Sequence, residues 1–181
     1  MAWIVLGVVV VAALYLVVVY NRMVALRQTT GQAWSDVDVQ LKQRRDLVPN
    51  LVETVKGYAA QEKSVLVEVT EARASATQVK VDASTLTDPA KFQQYAAAQD
   101  KLSGVLGRLM MIQENYPDLK SNQNFMALQS QLEGTENRIA IARRDYINSV
   151  RIFNTEISTI PGRWWKSFLY PQSKEMATFD I

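Results

Sequence analysis

Residues 33–76 read AWSDVDVQLKQRRDLVPNLVETVKGYAAQEKSVLVEVTEARASA. Within them Val37, Leu41, Arg44, Val48, Leu51, Val55, Tyr58, Glu62, Val65, Val69, Ala72 and Ala76 recur at steps of four and three. A mean step near 3.5 keeps one face of an α-helix turned toward a neighbour, as in the packing seam of a bundle or coiled coil. A helix over this stretch would be about 60 Å long. Pro49 lies inside it. Proline removes one backbone hydrogen bond and clashes with the carbonyl one turn back. The period nevertheless crosses Pro49 unchanged, and Asp46–Asn50 contains no glycine. A kinked but continuous first helix, Val24 to Ala76, is expected; a break at Pro49, giving one more bundle helix, is the alternative.

Upstream, Ala2 to Tyr20 read AWIVLGVVVVAALYLVVVY, without a charge. The Val, Leu and Ile residues alone favour membrane insertion by about 4–7 kcal/mol. Trp3 and Tyr20 bracket the run about 26 Å apart if it is helical, close to the thickness of a bilayer core. Amphipathic rings at both ends, with Arg22 just beyond, suit the two headgroup regions. A cleaved signal peptide would need a basic start, a shorter apolar run and a small-x-small site. This run has none of these, so an uncleaved anchor is expected. Arg22 and Arg27 follow the span, which places the following domain in the cytoplasm with the N-terminus outside. An extracytoplasmic domain is the alternative, and digestion of the domain in intact spheroplasts would reject the cytoplasmic side.

Downstream, VKVDASTLTDPAKF (residues 79–92) is a polar loop in which Asp88 and Pro89 form a helix start, Asp as cap and Pro in the first turn. The next stripe is Phe92, Tyr95, Gln99, Leu102, Leu106, Leu109, Gln113 and Tyr116, stopped at Pro117. Ser121 or Asn122 can cap a third helix, striped Phe125, Leu128, Leu132, Thr135, Ile139, Ala142, Tyr146, Val150, Phe153 and Ile157, which ends at Ile160-Pro161-Gly162. The reading is all-α: an anchor over 1–21, an antiparallel up-and-down bundle of three long helices over 22–160 (four if the first breaks at Pro49), and an aromatic-rich tail over 161–181. The first helix is about twice the length of the second. Val37, Leu41 and Val48 then lack a partner within the chain, and neighbouring copies are expected to cover them in a homo-oligomer. Folding back at Pro49, or cover by the tail, is the simpler alternative.

Composition narrows the chemistry. The 20 basic and 18 acidic residues leave a net charge of +2, giving no electrostatic reason to expect nucleic acid. The chain has no His and no Cys. Serine-histidine and cysteine-histidine nucleophiles and thiolate zinc sites are therefore excluded. Glu114, Glu133 and Glu136 invite comparison with carboxylate-bridged metal bundles, but those also need His. Asp36 and Asp38 flank the stripe and read as solvated. Gly104 and Gly107 lie within a helix and form no phosphate loop. No catalytic residue, metal ligand or cofactor is expected.

Two groups of residues remain as candidate sites. Arg44 falls in core-facing phase, where an unpaired charge is costly, and Glu136 of the third helix is its expected partner in a pair that sets bundle register. The tail places Trp164, Trp165, Phe168, Leu169 and Tyr170 around Arg163 and Lys166. This mixture suits a membrane interface or a hot spot on protein. In an up-down-up bundle the tail ends far from the membrane, which favours docking on protein; reaching a second membrane is the alternative.

The runs Tyr20–Glu62 (YNRMVALRQTTGQAWSDVDVQLKQRRDLVPNLVETVKGYAAQE) and Glu114–Asn154 (ENYPDLKSNQNFMALQSQLEGTENRIAIARRDYINSVRIFN), with the closing Phe179, resemble the LemA family of bacterial membrane proteins. The resemblance implies an N-terminal anchor in the bacterial inner membrane, an antiparallel helical bundle and no known catalytic residue. It also implies a kinship with factors that help shape bacterial membranes or organelles. The tail departs from the family pattern in its Trp pair. The expected function is a membrane-anchored, self-associating scaffold that touches the lipid bilayer and a membrane-protein partner. The alternative is an accessory module for a membrane protease or sensor kinase.

Overall fold

The computed structural model describes residues 1–79, 81–82 and 84–179. Six α-helices follow in order: α1 (Ala2–Tyr58), α2 (Lys63–Gln78), α3 (Pro89–Met111), α4 (Pro117–Lys120), α5 (Gln123–Ser158) and α6 (Gly162–Leu169). No strand occurs among the described residues. α1, α2, α3 and α5 pack as an up-and-down bundle, and α4 turns the chain over at its distal end.

The apolar segment and the first bundle helix are one piece of backbone, 57 residues long. The helix also passes through Pro49. Proline has no N–H to give the Arg45 carbonyl one turn back. Arg73 of α2 supplies the missing donor, its Nε lying 2.9 Å from the Arg45 oxygen. The break comes instead at Ala59, which leaves helical geometry at φ −132°, ψ 48°. Gly57, two residues earlier, weakens the final turn. The expected continuous helix to Ala76 is thus two antiparallel helices, divided ten residues beyond the proline. Tyr58 is consequently exposed, and Glu62 and Val65 only partly covered, while Ala59 and Leu66 take their places in the core. From Val69 the stripe is again buried, because the short connection between α1 and α2 restores the helical phase.

The later boundaries follow local chemistry. Asp88 caps α3, its Oδ1 accepting from the amides of Ala90 and Lys91 at 3.1 and 3.2 Å. Asn122 caps α5 by accepting from the Phe125 amide at 2.9 Å. Pro117 opens α4 in addition to ending the preceding turn.

Three apolar clusters stack along the long axis. The distal one holds Leu51, Val55, Val69, Leu106, Leu109 and Phe125. The middle one is aromatic, with the Trp34 ring centroid 5.3 to 5.7 Å from those of Phe92, Tyr95 and Tyr146. The membrane-proximal one joins Met23 to Phe153 and Ile157. α5, with 36 residues and about 54 Å long, packs along α1 through all three levels. Val37, Leu41 and Val48 are therefore buried within the single chain. The seam is closed within one chain, without the neighbouring copies that the sequence leads one to expect.

Candidate functional site

Two places collect the polar and aromatic residues that core packing alone does not explain. The first is midway up the bundle. The Arg44 side chain is 0 % exposed. Its Nη2 donates to the carbonyl and the Oε1 of Gln99 at 3.0 and 2.9 Å. Its Nη1 donates to Glu136 Oε1 at 3.2 Å and to the Ser103 hydroxyl. Gln99 Nε2 in turn donates to the Ala76 carbonyl at 3.0 Å. One guanidinium thus connects residues from all four bundle helices. Its Nε is buried without a hydrogen-bond partner among the described residues. Burial pulls the Arg44 pKa below its ordinary value, and the nearby Glu136 carboxylate only partly opposes this. Glu136 keeps 37 % of its side chain in solvent. The pair therefore carries a net desolvation cost on the arginine side.

Glu114 and Glu133, considered beside Glu136 as carboxylates, are engaged separately. Lys120 donates to Glu114 at 2.9 Å, and Gln129 donates to Glu133 at 3.0 Å.

The second place is where α1 crosses from its uncharged run to its first cations. Trp3 is exposed at the far end of the run, and so are the Val and Leu residues from Val5 to Val18 apart from the half-buried Leu16. At the near end, Arg22 Nη2 lies 3.2 Å from Glu156 Oε2, tying the last turns of α5 to α1. Tyr20 faces Tyr170 with ring centroids 6.5 Å apart, and Tyr15 meets Trp165 edge-on at 6.4 Å. Gly162 makes this return possible: a Cβ there would collide with the Glu156 carbonyl. Trp164, Phe168 and Leu169 remain exposed on α6. The tail was expected far from the membrane, as in a three-helix bundle. The division of the first helix adds one pass, so α5 runs back toward the anchor and delivers α6 beside it.

Beyond α6 the chain climbs back up the bundle. Asn154 clamps Met176 through two hydrogen bonds of 2.9 Å. The Ala177 amide donates to the Leu86 carbonyl at 2.8 Å, and the Tyr146 hydroxyl donates to the Ala177 carbonyl at 2.9 Å. Phe179 completes the aromatic cluster, 4.9 Å from Phe92, with the Arg143 guanidinium 4.5 Å above its ring. Of these residues the sequence drew attention to Phe92 and Tyr146 as stripe positions and to Phe179 through the family resemblance. Asn154 and Arg143 sit on α5 with nothing in their spacing to mark them. Ser103, one position off the apolar stripe, was equally silent.

A family model described as the LemA family matches residues 33–181. The chain belongs to the LemA family. Magnetosome protein MamQ 2 of Paramagnetospirillum magneticum is 26 % identical over 158 residues, covering 78 % of this chain and 58 % of the relative. Magnetosome protein MamQ of Magnetospirillum gryphiswaldense is 24 % identical with the same coverage. Protein LemA of Metamycoplasma hominis is 23 % identical over 139 residues, covering 77 % of this chain and 59 % of the relative. This LemA-family chain spans about three-fifths of the length of the curated relatives it matches. α1 is the only described helix long and apolar enough to cross a bilayer, and its exposed apolar run supports a single-pass membrane protein.

Proposed function

We propose that this LemA-family protein is a membrane-anchored helical scaffold. It associates with copies of itself and with other membrane proteins, and it influences membrane or envelope organisation without catalysis. The carrying observation is the continuity of α1 from its lipid-facing segment into the bundle core. A flexible tether would let the domain wander, whereas a single helix gripped by α5 holds it at fixed height and orientation. The buried Arg44 network supports the same reading, because its donors are turned inward onto Gln99, Ser103 and Glu136. The relatives named as magnetosome proteins support a role in organising a bacterial membrane compartment. The cations Arg22 and Arg27 after the span favour a cytoplasmic bundle at the inner membrane.

The test is the mass of the full chain in detergent across a wide concentration range. A defined multiple of 20.4 kDa that survives dilution is expected. A monomer at every concentration overturns self-association. A stoichiometric one-to-one complex with a membrane protease or sensor kinase would instead establish the adaptor reading.

A further inference from the structure

The eight residues of α6 separate into two faces. Trp164, Trp165, Phe168 and Leu169 follow the i, i+1, i+4, i+5 pattern of one helical side, and Arg163, Lys166 and Ser167 occupy the other. The apolar side is only partly used by the protein. Trp165 rests against Tyr15, but Trp164 is 58 % exposed and Phe168 80 % exposed. Two such rings left in water would be a costly apolar patch.

Position identifies what covers them. Tyr15 belongs to the uncharged run and lies about 10 Å along the helix axis before the first charge, Arg22. A residue whose ring meets Tyr15 is therefore level with lipid. The flanking contacts agree: Tyr170 meets Tyr20, and Glu156 at the end of α5 meets Arg22. α6 is held at the boundary between acyl chains and headgroups of the leaflet from which α1 emerges. Trp and Phe on one side with Arg and Lys on the other are the chemistry of a helix lying in that boundary.

We infer that α6 is a second, in-plane membrane contact: Trp164, Phe168 and Leu169 enter the interfacial region of that leaflet, while Arg163 and Lys166 face its phosphates. This goes beyond the scaffold reading and rests only on α1 spanning the bilayer. The contact also fixes rotation. One spanning helix can turn about its own axis, whereas a spanning helix with a lateral foot presents the same side of the bundle to the same side of the membrane.

The native chain contains no cysteine, so single spin labels report position directly. Trp164→Cys and Phe168→Cys sample the apolar face, Arg163→Cys and Ser167→Cys the polar face, and Val10→Cys the anchor. All are placed in the full-length chain in phosphatidylcholine–phosphatidylglycerol vesicles. At positions 10, 164 and 168, relaxation by oxygen is expected to exceed relaxation by a water-soluble nickel chelate. At positions 163 and 167 the preference should reverse. Chelate preference at 164 and 168 with oxygen preference at 10 overturns the inference and leaves the anchor intact. Exclusion of both reagents from 164 and 168, as a second protein copy would cause, overturns it as well. Loss of oxygen preference at 10 removes the anchor and the inference together.

Discussion

At the scale of single residues, the ion pair in the bundle is unequal. Arg44 is sealed, whereas Glu136 reaches water. Removing the carboxylate strands a buried cation; removing the cation leaves a carboxylate that can hydrate. Glu136→Ala is therefore expected to cost about 3–5 kcal/mol. Arg44→Leu should cost about 1–3 kcal/mol, chiefly by leaving the buried Gln99 Oε1 without a donor. Urea unfolding in micelles measures both, and an equal or larger loss for Arg44→Leu contradicts the asymmetry. An unchanged melting temperature in Arg44→Leu would deny any buried pairing. Arg44 was legible in the sequence because a cation on an apolar stripe violates the pattern around it. Gln99 was legible as a member of its own stripe. Ser103 and Asn154 were not, because a polar residue near the edge of a helix face looks the same whether it meets water or a neighbouring backbone.

At the scale of elements, the sequence marked the starts of α3 and α5, joined α1 to α2, carried α3 past Met111, and did not mark α4 or α6 as helices. The caps at Asp88 and Asn122 were readable because each requires one side chain and nearby amides. The fate of Pro49 was not, since the donor that replaces its missing amide, Arg73, comes from another helix. That dependence can be measured. Arg73→Ala should cost about 1 kcal/mol by orphaning the Arg45 carbonyl. In a Pro49→Ala background the restored amide fills that role, so most of the loss should vanish. Additive effects of the two substitutions in unfolding experiments would show that the Arg73 contact is incidental. The true end of α1 carries only Gly57 as a marker, and the apolar period ran through it because the connection to α2 nearly preserves phase. One misplaced boundary then reversed the destination of the tail, since the parity of passes determines which end of the bundle receives α6.

At the scale of the whole molecule, the distal half is a four-helix bundle and the membrane-proximal part is narrower, with α1 and α5 braced by the returning tail. Closing the seam of Val37, Leu41 and Val48 inside one chain changes what self-association must use: an outer surface and not an unfinished core. The uninterrupted passage of α1 out of the lipid has a mechanical consequence. A rod without a hinge is a lever whose short arm is set by bilayer thickness. From Arg22 to Tyr58 the long arm is about 55 Å, so a tilt of about 10° carries its tip sideways by about 10 Å. Thinner and thicker bilayers should therefore shift the spacing between fluorophores on the bundle tip and on the lipid surface, measured by energy transfer in vesicles of graded acyl length. Constant spacing would mean that the bilayer deforms around the rod, leaving the local membrane strained while the protein stands still.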